Sequence, residues 1–281
     1  FIYKYCRHYI GKLDGAPIEL GPWQCFAEAN IHGWKRSDGR RRFRISHEEV
    51  GRKQGKSTRL SALGKYYLVA DNEAGAQVYI AASKYDQTKE IFNACAEITK
   101  KHKALSSRCE VLRGEIRYGS SFIKRLAKDS KSMDGFNTHA ALIDELHAHR
   151  DSSIYDVLRS SIGSRENPII RCITTAGFDR NSFAYKRRAY LIKVLQGLVE
   201  DDSFFGMIYT IDDPEKWDCE EEWKKANPNL GISTDIDDMR EQFRGAKEIP
   251  TDKVEFLTKR LNYWTYGAVA WMPMDKWNDC H

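Results

Sequence analysis

The first stretch suited to chemistry is Gly55-Lys56-Ser57-Thr58. The glycine lets backbone N–H groups approach an anion closely, the lysine supplies a compact positive charge, and a hydroxyl of Ser57 or Thr58 can hold a magnesium ion. These residues predict a phosphate-binding loop that opens a helix. The usual pattern, G-x-x-x-x-G-K-[ST], requires its first glycine where this chain has Val50, so a basic surface turn is the alternative interpretation.

The second stretch is an apolar run at 140–143 followed by two acids, Asp144 and Glu145. A carboxylate at the end of a buried strand can hold the water shell of Mg²⁺, and the next residue can activate a water. Burial of unpaired carboxylates is costly, which favours this site over the alternative of a strand that emerges into solvent. His147 and His149 follow without a third ligand at zinc spacing, so we interpret them as residues that support the acids or lie at the surface.

The elements that must position these residues follow from the hydrophobic pattern. From residue 42 onward, short apolar runs alternate with segments of helical spacing, which predicts an α/β fold with a mainly parallel sheet flanked by helices. A hairpin is expected around Arg113-Gly114. The predicted strands are 43–50, 77–82, 140–144, 169–174 and 205–211, and the predicted helices are 57–70, one that begins after Ser83, 235–246 and 252–264.

Composition narrows the class of protein. The chain has 281 residues, of which 41% are hydrophobic, and a formal net charge of +5, so a surface that binds a polyanion must be local. Seven scattered cysteines without C-x-x-C spacing indicate neither a zinc site nor a disulfide framework and fit a reducing cytoplasm. No apolar run reaches the ~20 residues that span a bilayer. Because the chain opens at Phe1, we expect it to be part of a longer protein.

Four motifs in order resemble the large terminase subunits of tailed bacteriophages. The loop VGRKQGKS (50–57) is similar to their deviant Walker A, in which Arg-Lys precedes x-G-K-S and the first glycine is commonly lost. LGPWQCF (20–26), LIDELHAH (142–149) and CITTAGFDRNS (172–182) resemble the adenine-binding segment, Walker B and the coupling motif. KSMDGFN, KKANPNLG and TKRLNYW also lie where such terminases have similar phrases, so the resemblance spans roughly 22–277.

The resemblance implies a RecA-like P-loop NTPase fold of the ASCE type and a role for each matching residue. Gln24 would read the adenine edge, Asp144 with Ser57 would hold Mg²⁺, Glu145 would activate the water, and Thr174 and Thr175 would sense the γ-phosphate. The residues implied to bind ATP in the loop are Arg52, Lys53, Gln54, Gly55, Lys56, Ser57 and Thr58.

Arginines are expected to neutralise the charge of the transition state. Arg52 could do so within its own subunit. Arg165 is the candidate for an arginine finger supplied to the neighbouring subunit, with Arg159 behind it. For both Arg165 and Arg159, a simple surface charge is the alternative.

The family further implies an ATPase motor that drives double-stranded DNA into a procapsid. The implied partners are the DNA, the viral portal protein, the small terminase subunit and other copies of the chain in a ring, all in the host cytoplasm and without a membrane. We expect an ATPase domain at 1–212, of which about the first 20 residues form an extension, and a helical linker subdomain at 213–281. A nuclease domain of ribonuclease H-like fold, which would also cut the DNA, is expected beyond this chain.

Two other functions fit parts of the sequence. A superfamily 2-like helicase or translocase would need a second RecA-like domain, for which this chain is too short. A nucleotide-sensing or DNA-binding module without turnover would not need a catalytic acid, and Glu145 argues against it.

Overall fold

One eight-stranded sheet organises the molecule. The structure, a computed structural model, describes residues 1–83, 85–126 and 135–266. In that part of the chain the strands lie in the order β3-β4-β5-β2-β6-β7-β1-β8. Their bounds are β1 (Ile45–Glu49), β2 (Gln77–Ala81), β3 (Glu110–Val111), β4 (Glu115–Tyr118), β5 (Ser121–Arg125), β6 (Ala140–Asp144), β7 (Ile169–Thr174) and β8 (Phe204–Ile208).

The six strands from β5 to β8 along the sheet run parallel, as predicted. Two pairs of strands in the described residues are antiparallel, β3 with β4 and β4 with β5. β3 and β4 form the expected hairpin around Arg113-Gly114 at one edge of the sheet. β1, β6 and β7 lie side by side, with Glu49 opposite Thr174 and Asp144 opposite Ile173. Because parallel strands share their carboxyl-terminal edge, the loops that follow these three strands meet at one place.

Helices cover both faces of the sheet. The helices are α1 (Ile2–Tyr5), α2 (Pro22–Gly33), α3 (Lys56–Val69), α4 (Tyr85–Lys101), α5 (Lys103–Ser106), α6 (Ser153–Ser160), α7 (Phe183–Leu195), α8 (Glu220–Ala226), α9 (Ile236–Glu248) and α10 (Pro250–Glu255). Alternate residues of each strand point to opposite faces, so Val78 and Ile80 enter one apolar cluster with α1 to α4, while Tyr79 and Ala81 enter another with α6 and α7. Among the described residues, no helix is both long and apolar enough to cross a bilayer.

The C-terminal helices α8 and α9 and the segment that follows α10 pack on a small apolar cluster of their own, which includes Trp223, Met239 and Phe256. The predicted helix at 252–264 ends early. A five-residue π-helical segment, Phe256–Arg260, follows α10, and Asn262 has a left-handed φ of 54°. Asn262 explains this end, because its side chain donates to Tyr209 O and accepts from Ala176 N, both at 2.7 Å.

The predicted strands 43–50 and 205–211 are also too long, since β1 is Ile45–Glu49 and β8 is Phe204–Ile208. The physical reason is that β1 and β8 lie next to each other and stop together where the chain turns into the loops at the carboxyl edge. The strands β6 and β7 have the predicted bounds. Residues 131–134, the first part of KSMDGFN, and residues 267–277, the last part of the resemblance, lie outside the described part of the chain.

Four buried charges join α2 and α3 to the sheet. Arg171 on β7 lies 2.8 Å from Glu28 and 2.6 Å from Glu48, and Arg59 pairs with the same two carboxylates. Burial alone would raise the pKa of Glu28, but the charges of Arg171 and Arg59 outweigh it and hold that pKa at about 2. Because the two arginines and the two glutamates carry no net charge together, the network can lie between the sheet and the helices α2 and α3.

Candidate active site

The predicted phosphate loop connects β1 to α3, and its backbone has the shape that such a loop needs. Gly55 and Lys53 have left-handed φ values of 73° and 66°, and Lys56 is the first residue of α3. The loop lines a cleft of about 470 Å³, together with Glu145 from across the sheet edge and Ser233 from the C-terminal segment. A helix N-terminus that faces a cleft of this size is suited to phosphate groups.

The Lys56 ammonium group folds back over its own loop. Its Nζ donates to Val50 O at 3.1 Å and to Gly51 O at 2.8 Å, and the residue is only 6% exposed. Burial lowers the pKa of Lys56, while the nearby carboxylates of Glu145 and Asp144 act in the opposite direction. The cation is thus held at the cleft by carbonyl oxygens, which a phosphate group could replace or supplement.

Ser57 and Asp144 meet as predicted: Ser57 Oγ donates to Asp144 Oδ2 at 3.0 Å. Burial and the adjacent Glu145 carboxylate raise the pKa of Asp144 to about 6. A hydroxyl and a carboxylate are hard oxygen donors, and Asp144 has no buried cation bonded to it among the described residues. This donor set fits Mg²⁺.

Glu145 holds a strained position that directs its side chain. It has a left-handed backbone, φ 48° and ψ 51°, and its N–H donates to Asp144 Oδ1 at 2.9 Å. Its Oε2 lies 3.1 Å from His147 Nδ1. Burial would raise the pKa of Glu145, but the hydrogen bond from His147 and the charge of Lys56 outweigh burial and lower it to about 2. The carboxylate is therefore ionised and faces the cleft.

The two threonines at the end of β7 contact this carboxylate directly and through His147. Thr175 Oγ1 lies 3.5 Å from Glu145 Oε2, the limit of a hydrogen bond. Thr174 Oγ1 donates to Thr175 O and accepts from the His147 backbone N–H at 2.9 Å. The structure thus brings Thr174 and Thr175 to the acids, and their role in sensing phosphate stays a prediction.

Gln24 lies against the phosphate loop from behind. Its Oε1 accepts from Gly21 N at 3.0 Å, and its Nε2 donates to Gln54 O at 3.2 Å. The amide therefore already contacts the protein through both of its polar atoms, and recognition of adenine by Gln24 stays a prediction. Arg52 is about half exposed beside the cleft, with its NH1 3.3 Å from Glu255 Oε1.

The close contact between the C-terminal segment and the loop was not predicted from the sequence. Gln54 is fully buried, and its Nε2 donates to Asn227 Oδ1 at 3.0 Å and to Thr234 Oγ1 at 2.8 Å. Gln54 Oε1 accepts from Asn229 N at 2.8 Å. Asn227 and Asn229 belong to KKANPNLG, one of the stretches similar to terminases, but nothing in its sequence indicates that its amides reach position 54.

The arginine candidates occupy different environments. The guanidinium of Arg165 makes four hydrogen bonds within its own chain, to Asn137 O, Glu73 Oε1, Ala74 O and Gly75 O, at 2.8 to 3.2 Å. Arg159, in the last turn of α6, is exposed. The contacts of Arg165 do not favour a role in a neighbouring subunit, and such a role for either residue stays a prediction.

The two histidines lie next to the two acids. His149 is buried with its Nε2 3.3 Å from Asp144 O, and His147 contacts Glu145. Within residues 1–83, 85–126 and 135–266, no group of three or more His, Cys, Asp or Glu is arranged to hold a metal ion.

The loop after β1 carries Lys56 and lies beside the end of β6, where Asp144 and Glu145 follow each other. This combination defines the class of P-loop NTPases. The particular family follows from comparison with known proteins. A family model described as the ATPase domain of the terminase large subunit matches residues 22–193, more than half of the chain. The chain therefore belongs to the terminase large subunit family.

A second family model, the endonuclease domain of the terminase large subunit, matches residues 198–281. From the sequence alone the nuclease domain is expected beyond this chain, whereas this match begins within it, at residue 198. The matched range begins before β8. Because β8 pairs with β1, it belongs to the sheet whose strand β1 leads into the phosphate loop. The predicted division at 212, after that strand, stays a prediction.

Two curated proteins are similar to the chain. Protein YmfN of Escherichia coli K12 is 33% identical over 153 residues, which cover 54% of this chain and 34% of that protein. The terminase large subunit of Enterobacteria phage HK97 is 22% identical over 294 residues, which cover 100% of this chain and 55% of that protein. The chain thus spans about a third of the length of YmfN and about half of the length of the HK97 terminase large subunit.

Solved structures show the same fold. The crystal structure of the HK97 large terminase matches with a TM-score of 0.82 and 20% identity, covering 94% of this chain and 54% of that one. A structure of the large terminase from a thermophilic bacteriophage matches with a TM-score of 0.52 and 13% identity, covering 85% of this chain and 52% of that one.

Proposed function

We propose that this chain is the ATPase part of a motor that uses ATP to move double-stranded DNA into a viral procapsid. The observation that carries the proposal is the meeting of Ser57, Asp144 and Glu145 at one end of the cleft, with the Lys56 ammonium group at the same loop. These are the parts that phosphoryl transfer needs: an anion cradle, a metal site and a water-activating group.

In the proposed reaction the loop 52–58 binds the triphosphate through backbone N–H groups, and Lys56 neutralises its charge. Mg²⁺, when bound to Ser57 and Asp144, would neutralise negative charge on the phosphate oxygens. Glu145 would accept a hydrogen bond from the attacking water and orient it. As the attack proceeds, the ionised carboxylate of Glu145 would also accept the proton of this water.

Support for nucleotide binding also comes from the fold. The large terminase of the same thermophilic bacteriophage has been solved in complex with ATP-gamma-S, and this chain matches that structure with a TM-score of 0.50 and 12% identity. We infer that the loop 52–58 of this chain receives ATP, with Gln24 near the adenine and Thr174 and Thr175 near the γ-phosphate.

For the whole protein, we propose a ring of subunits on the portal protein in the host cytoplasm, with the small terminase subunit and double-stranded DNA as further partners. Support comes from membership of the terminase family. We also propose that a nuclease activity belongs to the complete protein. A helicase-like translocase is not favoured, since the chain matches terminase models over residues 22–193 and 198–281.

An ATP hydrolysis assay with and without linear double-stranded DNA tests the proposal. Magnesium-dependent release of phosphate that rises with DNA is expected, because a motor couples turnover to its track. Binding of ATP without any hydrolysis, with or without DNA and at any protein concentration, would leave only a nucleotide-sensing module.

A further inference from the structure

His147 connects three parts of the site that the chain brings together from distant positions. Its Nδ1 lies 3.1 Å from Glu145 Oε2 and 3.1 Å from Thr174 Oγ1. Its Nε2 lies 3.1 Å from the Nζ of Lys259, a residue of the π-helical segment Phe256–Arg260. The imidazole therefore stands between the catalytic carboxylate and the C-terminal segment.

The Lys259 ammonium group determines which ring nitrogen carries the proton. An ammonium group only donates, so the neutral ring must offer the lone pair of Nε2 to Lys259 and keep its hydrogen on Nδ1. Lys259 is held in place for this contact, since its Nζ also donates to Ala176 O at 3.1 Å and lies 4.8 Å from the centre of the Phe178 ring.

The Nδ1–H group then meets two acceptors. Thr174 Oγ1 uses its own hydrogen to donate to Thr175 O at 3.0 Å, so toward His147 it can only accept. The second acceptor is Glu145 Oε2. The hydrogen bond anchors this oxygen, and the other carboxylate oxygen of Glu145 can then accept from a water molecule.

The same segment also contacts the phosphate loop. The backbone carbonyl of Lys259 accepts from Arg52 N at 2.8 Å, while its side chain reaches His147. A displacement of the segment by about an ångström would break the contact to His147 and so alter the position of Glu145.

We propose that His147 is the positioning residue of Glu145, and that Lys259 holds it in the Nδ1–H tautomer, so that Glu145 is oriented for hydrolysis only while the C-terminal segment lies against the site. This inference rests on the proposed ATPase function and adds its regulation. The opposite interpretation is a clamp in which His147 keeps Glu145 away from water, and the test distinguishes the two.

The first part of the test does not depend on turnover. In protein labelled with ¹⁵N-histidine, the ring nitrogen shifts of His147, assigned by comparison with His147→Ala, report its tautomer. The Nδ1–H form is expected in the parent, and a shift toward the Nε2–H form is expected in Lys259→Met. A parent ring in the Nε2–H form, or a tautomer unchanged in Lys259→Met, would overturn the proposal.

The second part measures kinetics. Lys259→Met should lower kcat by about tenfold or more with little change in KM, as the loss of supporting contacts does at other sites. Lys259→Arg, which keeps a donor, should recover part of this loss. The control is Lys216→Met, whose side chain is 67% exposed and 3.7 Å from Asp213; parental kinetics are expected.

A double variant shows whether the two residues act as one unit. His147→Ala should lose about as much kcat as Lys259→Met, and the two changes together should cost little more than either alone. A rise in kcat in either single variant would identify a clamp and contradict the proposal. If instead Glu145→Gln keeps parental turnover, the proposed function fails, whatever the tautomer of His147.

Discussion

Ser57 Oγ lies 3.0 Å from Asp144 Oδ2, although 87 positions of sequence separate the two residues. The contact joins the first turn of α3 to the end of β6 and so unites the two motifs that the sequence offered separately. It argues against the simpler alternatives, because a basic surface turn and a strand that runs into solvent would have no reason to meet.

Lys56→Ala should weaken ATP binding severely, because the loop loses the buried ammonium group at its centre. Equilibrium binding of a fluorescent ATP analogue measures the effect. Lys100→Ala is the matched control, since Lys100 is 59% exposed and pairs with the nearby Glu97 on the same helix. Affinity in Lys56→Ala close to that of the control would contradict the phosphate-loop assignment.

Glu28→Gln should change how stability depends on pH. The pKa of Glu28 lies at about 2, below its ordinary value of 4.5, so its ionised form stabilises the fold above pH 4.5 and loses that contribution as pH falls toward 2. At pH 7 the free energy of unfolding of Glu28→Gln should be about 3 kcal/mol lower than that of the parent. This difference should shrink as the pH falls from 4.5 toward 2. Urea unfolding at several pH values is the measurement, and a constant difference would show that the charge of Glu28 is not the cause.

Gly51→Ala should disturb the contact between the phosphate loop and the C-terminal segment. A Cβ at position 51 would lie 2.8 Å from Arg260 O and 3.1 Å from Asn227 Oδ1. The backbone of residue 51 or that of Arg260 must therefore move. We expect a loss of ~1–3 kcal/mol in stability together with reduced ATP turnover. Gly114→Ala is the control, because nothing in the described part of the chain lies within 4 Å of its added Cβ. Equal effects of the two variants on turnover would contradict the role of this contact.

Arg159 and Arg165 can be separated by mixing mutant chains under conditions in which the protein assembles. A chain with Arg159→Ala keeps its Walker pair and could receive an arginine from a Glu145→Gln neighbour, so the mixture should hydrolyse more ATP than the sum of the two variants. The exposure of Arg159 favours it over Arg165, whose four hydrogen bonds stabilise its own chain.

A mixture of Arg165→Ala and Glu145→Gln chains should show no such rescue. The Arg165→Ala chain alone should unfold at a lower temperature than the parent, because it loses four hydrogen bonds. Rescue with Arg165→Ala and none with Arg159→Ala would reverse the assignment.

Local pattern was enough to predict β6, β7 and the loop at Lys56, because each depends on residues that are neighbours in sequence. The pairing of Ser57 with Asp144 could also be expected once the strands were known to be parallel. The contact of His147 with Lys259 could not be predicted, since the two residues are 112 positions apart in the sequence.

The buried charges of Arg59 and Arg171 were missed for a related reason. An arginine in a helix or a strand is ordinarily at the surface, and only the packed structure shows that Glu28 and Glu48 compensate these two. The early end of the predicted helix 252–264 likewise depends on contacts of Asn262 with Tyr209 and Ala176.

The central claim is that Glu145 activates the water that attacks ATP bound beside Lys56 and Asp144. The most direct test compares Glu145→Gln with the parent in the same assembly, by equilibrium binding of Mg-ATP and by the rate of phosphate release. An amide cannot accept a proton from the water, so binding should persist while hydrolysis falls by ~10²-fold or more. Hydrolysis by Glu145→Gln at the parental rate would contradict the account and place the catalytic acid elsewhere.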